Sequence, residues 1–269
     1  MNKPVALLAL VTALVTVPAV SSAAIQTPTV DYKDGDVVLQ GFLAYDDAKV
    51  KPGAAPAPGV LIIHQWMGLT DNERNRARML AELGYVAFAA DIYGRDSRPK
   101  ERGEAGSFAG AYKKDRGLFR KRLRLGLDAL RAQPGVDPKR IAAIGYCFGG
   151  TGVLELARSG AEIAGVASFH GGLDSPSPQD GRNIRCKVLV LHGADDPHVP
   201  PADIEAFKKE LNDAKVDWQM VYYSGAVHAF TQKEAGNDPS KGAAYDEKSD
   251  RRSWTAMKAF FDEIFGGAK

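Results

Sequence analysis

The chain is poor in cysteine: only Cys147 and Cys186 occur among 269 residues, so at most one intramolecular disulfide can form. A dominant charge is also missing. With 35 Lys and Arg against 33 Asp and Glu, the formal net charge is only +2, and no global field draws the molecule toward nucleic acid. The one basic stretch, Lys113 to Arg124, carries leucines and a phenylalanine at helical spacing. It is expected to be the solvated face of an amphipathic helix. No internal repeat or low-complexity tract occurs, and beyond residue 24 no run is long and apolar enough to span a bilayer.

What is present begins with residues 1–24. One lysine is followed by an almost wholly apolar run to Val20 and then by Ser21-Ser22-Ala23-Ala24, the layout of a cleavable secretory signal. Cleavage near Ala24 would leave residues 25–269 as one periplasmic or secreted domain, without membrane association. A monomer is expected. That length is ample for one large core.

Along the mature part, residues 30–33 and 37–45 read as an antiparallel hairpin turned by Asp34-Gly35. From Val60 onward, strands at 60, 85, 141, 163, 188 and 218 alternate with helices over 72–83, 108–132, 150–159, 201–213 and 244–265. Such alternation predicts an α/β fold: a mostly parallel, doubly wound sheet with helices on both faces and ligands gathering at the C-terminal strand ends.

One of those ends carries Gly145-Tyr146-Cys147-Phe148-Gly149-Gly150, directly after the strand 141–144 and before a helix. This is the pattern of a nucleophile elbow, in which flanking glycines permit a strained turn that exposes the central residue. The start of a helix favours a thiolate there, and the next N–H can face an oxyanion. Two later strand exits complete the order nucleophile, acid, base. Strand 186–193 exits into Ala194-Asp195-Asp196-Pro197-His198-Val199-Pro200, and strand 218–223 ends in a loop presenting His228. Either Asp195 or Asp196 can serve as the acid on spacing alone.

In these pieces the chain resembles the dienelactone hydrolase family of α/β-hydrolases, whose elbow reads Gly-Tyr-Cys-x-Gly-Gly. The likeness extends to residues 60–69, to residues 85–95, to Asp196-Pro197-His198-Val199-Pro200 and to His228-Ala229-Phe230. The resemblance implies an α/β-hydrolase fold with Cys147 as nucleophile, His228 as base and Asp196, three residues before the Val-Pro pair, as acid. It also implies an oxyanion hole from the backbone N–H groups of Phe148 and Trp66, an ester or lactone substrate that can bear a carboxylate, and no cofactor or metal.

Two positions depart from the family pattern. Gln65 stands where the family has a glutamate that helps to activate the cysteine, and glutamine cannot accept a proton. Of the two arginines that hold the family substrate's carboxylate, Arg95 remains, but the second stretch reads Thr231-Gln232-Lys233. Gln65, Arg95, Tyr93 and Phe230 are expected to contact substrate, with Trp66 as a further wall. His64 and His170 are read as packed loop residues, and His192 and His198 beside the acid match no metal-ligand spacing.

Cys186 opens a strand whereas Cys147 follows the end of another, so the two are expected at opposite edges of the sheet, too far apart to pair. This spacing disfavours a thiol-redox protein, which would need a resolving cysteine. A catalytically silent binding module is disfavoured by the intact Cys, Asp and His.

Overall fold

The computed structural model describes residues 24–266 except 51, 52 and 54. All of the expected leader but Ala24 lies outside the described residues. Strands β1 (Ile25–Gln26), β2 (Thr29–Asp34), β3 (Val37–Asp46) and β4 (Ala57–Ile63) come first, then helix α1 (Asp71–Glu82) and β5 (Val86–Ala90). Helices α2 (Arg102–Lys114) and α3 (Arg116–Arg131) precede β6 (Val136–Tyr146), α4 (Phe148–Arg158), β7 (Gly165–Phe169) and β8 (Lys187–Gly193). The chain closes with α5 (Pro201–Asp213), β9 (Trp218–Tyr223) and α6 (Glu247–Ile264).

The nine strands form one sheet in the order β1-β3-β5-β4-β6-β7-β8-β9, with β2 also paired to β3. Strands β5 to β9 and β4 are mutually parallel, while β3 runs antiparallel to β1, β2 and β5. The fold is therefore the mostly parallel α/β sheet expected, with an antiparallel N-terminal edge.

Both faces of the sheet are buried, which explains why its strands read as continuous apolar runs. Because side chains alternate along a strand, Leu61 and Ile63 of β4 face one core with α2, α3, α4 and α5, while Val60 and Ile62 face a second with α1 and α6. The alternation repeats in β8, where Val188 and Val190 take the first face and Leu189 and Leu191 the second. Each fully buried Leu, Ile or Phe contributes about 1.5–3 kcal/mol by leaving water.

Residues 108–132, expected as one helix, form two. The break falls at Asp115, whose carboxylate accepts the Leu118 N–H at 2.9 Å and caps α3. Aspartate is a strong N-cap because it satisfies a donor that the helix itself leaves unpaired. The basic stretch also differs from a merely solvated face. Arg122 is buried and pairs with Asp34 at 2.7 Å, and Arg116 and Arg120 both reach the buried Glu155 of α4.

Candidate active site

Helix α4 begins at the C-terminal end of β6, and the residue at the junction is Cys147. Its backbone is forced to φ 55°, ψ −114°, a region that a side chain enters at a cost of about 1–3 kcal/mol. The neighbouring glycines make the turn possible. A Cβ on Gly145 would lie 1.9 Å from the Gly149 carbonyl oxygen, and one on Gly149 would lie 2.1 Å from that of Ile63.

The elbow is fastened from behind. The Cys147 N–H donates to the Phe169 carbonyl at 3.0 Å and lies 3.1 Å from Nδ1 of His170. That nitrogen must then be the acceptor, so Nε2–H of His170 donates to the Thr231 hydroxyl at 2.8 Å. Burial pushes His170 well below its ordinary value, and the nearby His228 adds to the effect, so the ring is held neutral.

His228 follows β9, and its loop is pinned where the His228 N–H donates to Gly242 and the Ala244 N–H donates back to His228. Its Nε2 lies 3.0 Å from Cys147 Sγ, and its Nδ1 lies 2.9 Å from Oδ2 of Asp196. The other Asp196 oxygen accepts the His198 N–H at 2.8 Å. Asp196 is buried while Asp195 faces solvent, which separates two residues that spacing left equivalent.

The charges on this chain of three reinforce one another. Burial opposes ionisation of Cys147 most strongly, but His228, Lys113 and the Phe148 N–H together hold its thiol below the ordinary value. Burial likewise opposes a charge on His228, yet the sulfur and Asp196 raise it to about 10. Asp196, although desolvated, is kept low by its bond to His228. Both shifts run in the direction that favours a thiolate and imidazolium pair.

Cys147 and His228 open into a cleft of about 610 Å³, whose walls include Gln65, Trp66, Met67, His198 and Gln232. The loop carrying Trp66 is fixed from three sides. His64 donates through Nδ1 to the Gln65 carbonyl at 2.6 Å and accepts the Ile92 N–H at 3.1 Å. Tyr93 donates to the Trp66 carbonyl at 3.0 Å. Glu73, fully buried on α1, accepts the N–H and hydroxyl of Thr70 and the Gln65 N–H at 3.4 Å. Glu73 escaped the sequence reading, although Thr70 and Glu73 have the spacing of a capping box.

Three expected substrate contacts lie elsewhere. Arg95 is not part of the cleft lining and pairs with Asp31 at 3.2 Å and Asp96 at 3.4 Å, because β2 supplies a carboxylate that sequence alone does not place. Tyr93 is buried in the first core, its ring 5.5 Å from that of Phe148. Phe230 is fully buried in the second. The cations that line the cleft are Arg102, Lys113 and Lys241, on segments that carry no motif. Cys186 is buried and unpaired, and burial pushes its thiol up to about 12. Register sets Tyr146 level with Leu191, so Cys186 lies about 20 Å below Cys147 along the strands. A second depression, lined by Ser159, Gly160, Glu162, Asn183 and Arg185, contains none of these groups.

Comparison with known proteins agrees with this architecture. The model of the dienelactone hydrolase family matches residues 45–265. A protein of Synechocystis, provisionally assigned as a carboxymethylenebutenolidase, is 26% identical over 250 residues, covering 88% of this chain and 96% of its own. The crystal structure of a dienelactone hydrolase-like promiscuous phosphotriesterase from metagenomic libraries is 42% identical, with a TM-score of 0.83 over 90% of this chain and 99% of that one. A dienelactone hydrolase-type structure from Klebsiella pneumoniae, 22% identical with a TM-score of 0.74 over 89% of this chain and 99% of that one, shares the fold.

Proposed function

The chain belongs to the dienelactone hydrolase family, and from that premise we propose that it hydrolyses activated carboxylic esters or lactones through a thioester on Cys147. The observation that carries this reading is the unbroken line from Asp196 through His228 to Cys147, at 2.9 and 3.0 Å, ending on a half-buried elbow that opens into the cleft.

The thiolate attacks the carbonyl carbon, and the C=O electron pair moves onto oxygen. Backbone N–H groups of Phe148 and Trp66 receive that oxyanion, a role in which one donor contributes about 10²–10³ in rate. As the oxyanion collapses, the imidazolium of His228 passes its proton to the departing alkoxide and leaves Cys147 acylated. His228, now neutral, takes a proton from water, the water oxygen attacks the thioester, and the thiolate departs. Asp196 holds the His228 tautomer throughout. A thiolate is a much better leaving group than an amide nitrogen, so amide substrates revert rather than acylate. Cleavable substrates are those whose own leaving group is comparably stable.

The test is hydrolysis of p-nitrophenyl acetate and of a dienelactone by the wild type and by Cys147→Ala, Cys147→Ser and Gln65→Glu. Activity on both substrates that vanishes with Cys147→Ala supports the lactonase reading, and activity on the ester alone indicates an esterase with another natural substrate. Wild-type rates no higher than those of Cys147→Ala overturn it.

A second reading concerns range. The 42% identical relative is described as a promiscuous phosphotriesterase, and the same nucleophile can attack the phosphorus of a neutral aryl phosphotriester. Release of p-nitrophenol from a diethyl aryl phosphate, lost in Cys147→Ala, would support it. We further propose that the mature enzyme works outside the cytoplasm. Fractionation with N-terminal sequencing checks this, and an intact Met1 in the cytoplasm counts against it.

A further inference from the structure

Three cations line the catalytic cleft, and they differ in how they are engaged. Arg102 donates to the Glu234 carbonyl at 3.1 Å, and Lys241 lies 3.6 Å from Asp238. Lys113, in the last turn of α2, has no carboxylate within ion-pair distance among the described residues, although two acidic groups lie near its helix. Their charge is already taken. Asp174 is bound by Arg116 at 2.6 Å, and Glu155 is shared by Arg116, Arg120 and Arg158.

The floor of the cleft beside Lys113 is Gly172. A Cβ there would come within 3.5 Å of Lys113 Nζ, 3.2 Å of Asp174 Oδ1 and 3.1 Å of Thr151 Oγ1. The missing side chain therefore leaves the ammonium adjacent to the space into which Cys147 opens. The other polar side chains around Cys147 do not replace this charge. His228 is bonded to it directly, His170 is held neutral from behind, Tyr93 is un-ionised, and Gln65 carries no charge.

We propose that Lys113 is a positioning residue for the nucleophile: an unpaired ammonium that, with His228, keeps negative charge on the Cys147 sulfur before substrate arrives, so that no base is needed at position 65. The inference rests on the thiol mechanism proposed above. It also explains how glutamine at position 65 is compatible with an active site, since a cysteine already ionised has no proton to lose. The thiol of Cys147 is held down by Lys113 in addition to His228, in line with the geometry.

The pH dependence of Cys147 alkylation by iodoacetamide, a neutral reagent, tests the proposal without requiring any substrate. The reaction is followed on the Cys147 peptide by mass spectrometry in the wild type, Lys113→Gln and Lys113→Arg. Lys113 is exposed, so both variants fold. Loss of a charge that lines the same cleft and is partly screened by water moves the alkylation midpoint of Lys113→Gln up by about 0.5–1 pH unit, or about three- to tenfold in rate below the midpoint. Lys113→Arg retains the wild-type midpoint, and 1 M salt narrows the gap between wild type and Lys113→Gln. A wild-type midpoint well below the ordinary thiol range that Lys113→Gln leaves unmoved overturns the role of Lys113 alone. A wild-type midpoint at the ordinary thiol value overturns the resting ion pair as well.

Discussion

Helix α4 starts in one assembly of charge and ends in another. At its N-terminus, Cys147, His228 and Asp196 form a line whose outer end, the sulfur, has one side-chain partner and an open cleft. Near its C-terminus, Glu155 and Arg158 are wholly buried and fully engaged. Arg158 grips Glu210 of α5 through two hydrogen bonds at 2.9 and 2.7 Å and Glu155 through a third at 3.0 Å, while Arg120 closes the far oxygen of Glu155 at 2.8 Å. Buried charge in a protein is expensive until every donor and acceptor is matched. At the second assembly, which joins α3, α4 and α5, both Glu155 oxygens and the Arg158 guanidinium are matched, and only Arg116 keeps buried nitrogens without a hydrogen bond. At the first, matching is left incomplete on the side where substrate enters, and that unmatched charge is what can react.

Damage to the two assemblies has different consequences. The largest expected effect is on turnover: Asp196→Asn lowers kcat for p-nitrophenyl acetate by about 10³–10⁴ through loss of the His228 tautomer with little change in unfolding midpoint, measured by steady-state kinetics beside a denaturant titration. Glu155→Ala does the reverse. It strands buried arginines and removes about 3–5 kcal/mol of stability, read by denaturant unfolding, while kcat of the folded fraction stays within about threefold, because Glu155 and Cys147 share no side-chain partner among the described residues. If Glu155→Ala abolished kcat in protein shown to be folded, the separation of roles would fail.

The pH profile sharpens the same comparison. Because the thiol of Cys147 is held low and His228 is raised to about 10, ester turnover should rise along a limb below the ordinary thiol range and fall above about pH 10, as the imidazolium loses the proton owed to the leaving group. Each limb changes the rate about tenfold per pH unit. For stability the signs follow separately. Asp196 is lowered on folding, so it stabilises above its unfolded value and that contribution disappears as pH falls through the folded one. His228 is raised, so its contribution is full below its unfolded value and is lost as pH rises through about 10. The smallest effect belongs to a residue of neither assembly: Arg95→Ala should leave kcat/KM within about twofold, the level of an exposed ion pair, since its partners are Asp31 and Asp96.

Why some of this was legible in the sequence and some was not follows from the range of the forces involved. The elbow could be read because its constraint is local: Gly145 and Gly149 answer to atoms a few residues away or on the adjacent strand. The order of Cys147, Asp196 and His228 could be read because parallel strands place their exits at one edge. Arg95 could not, since its direction is decided by Asp31, 64 residues earlier. Tyr93 and Phe230 look the same in sequence whether they face a cleft or a core. Lys113 was hidden inside a basic amphipathic stretch, and only the third dimension reveals that the arginines beside it had already claimed the nearby carboxylates. The break at Asp115 was locally encoded, but a lone capping residue within a helical pattern is a weak signal.

The distance between the two thiols bears on how such an enzyme ages. A reactive thiolate that meets peroxide becomes a sulfenic acid, and proteins that survive this repeatedly keep a second thiol close by to condense with it. Here the other sulfur sits at the opposite end of the strands, buried and protonated. On the proposed mechanism, Cys186 cannot resolve an oxidised Cys147, and repair falls to a thiol that enters by the cleft.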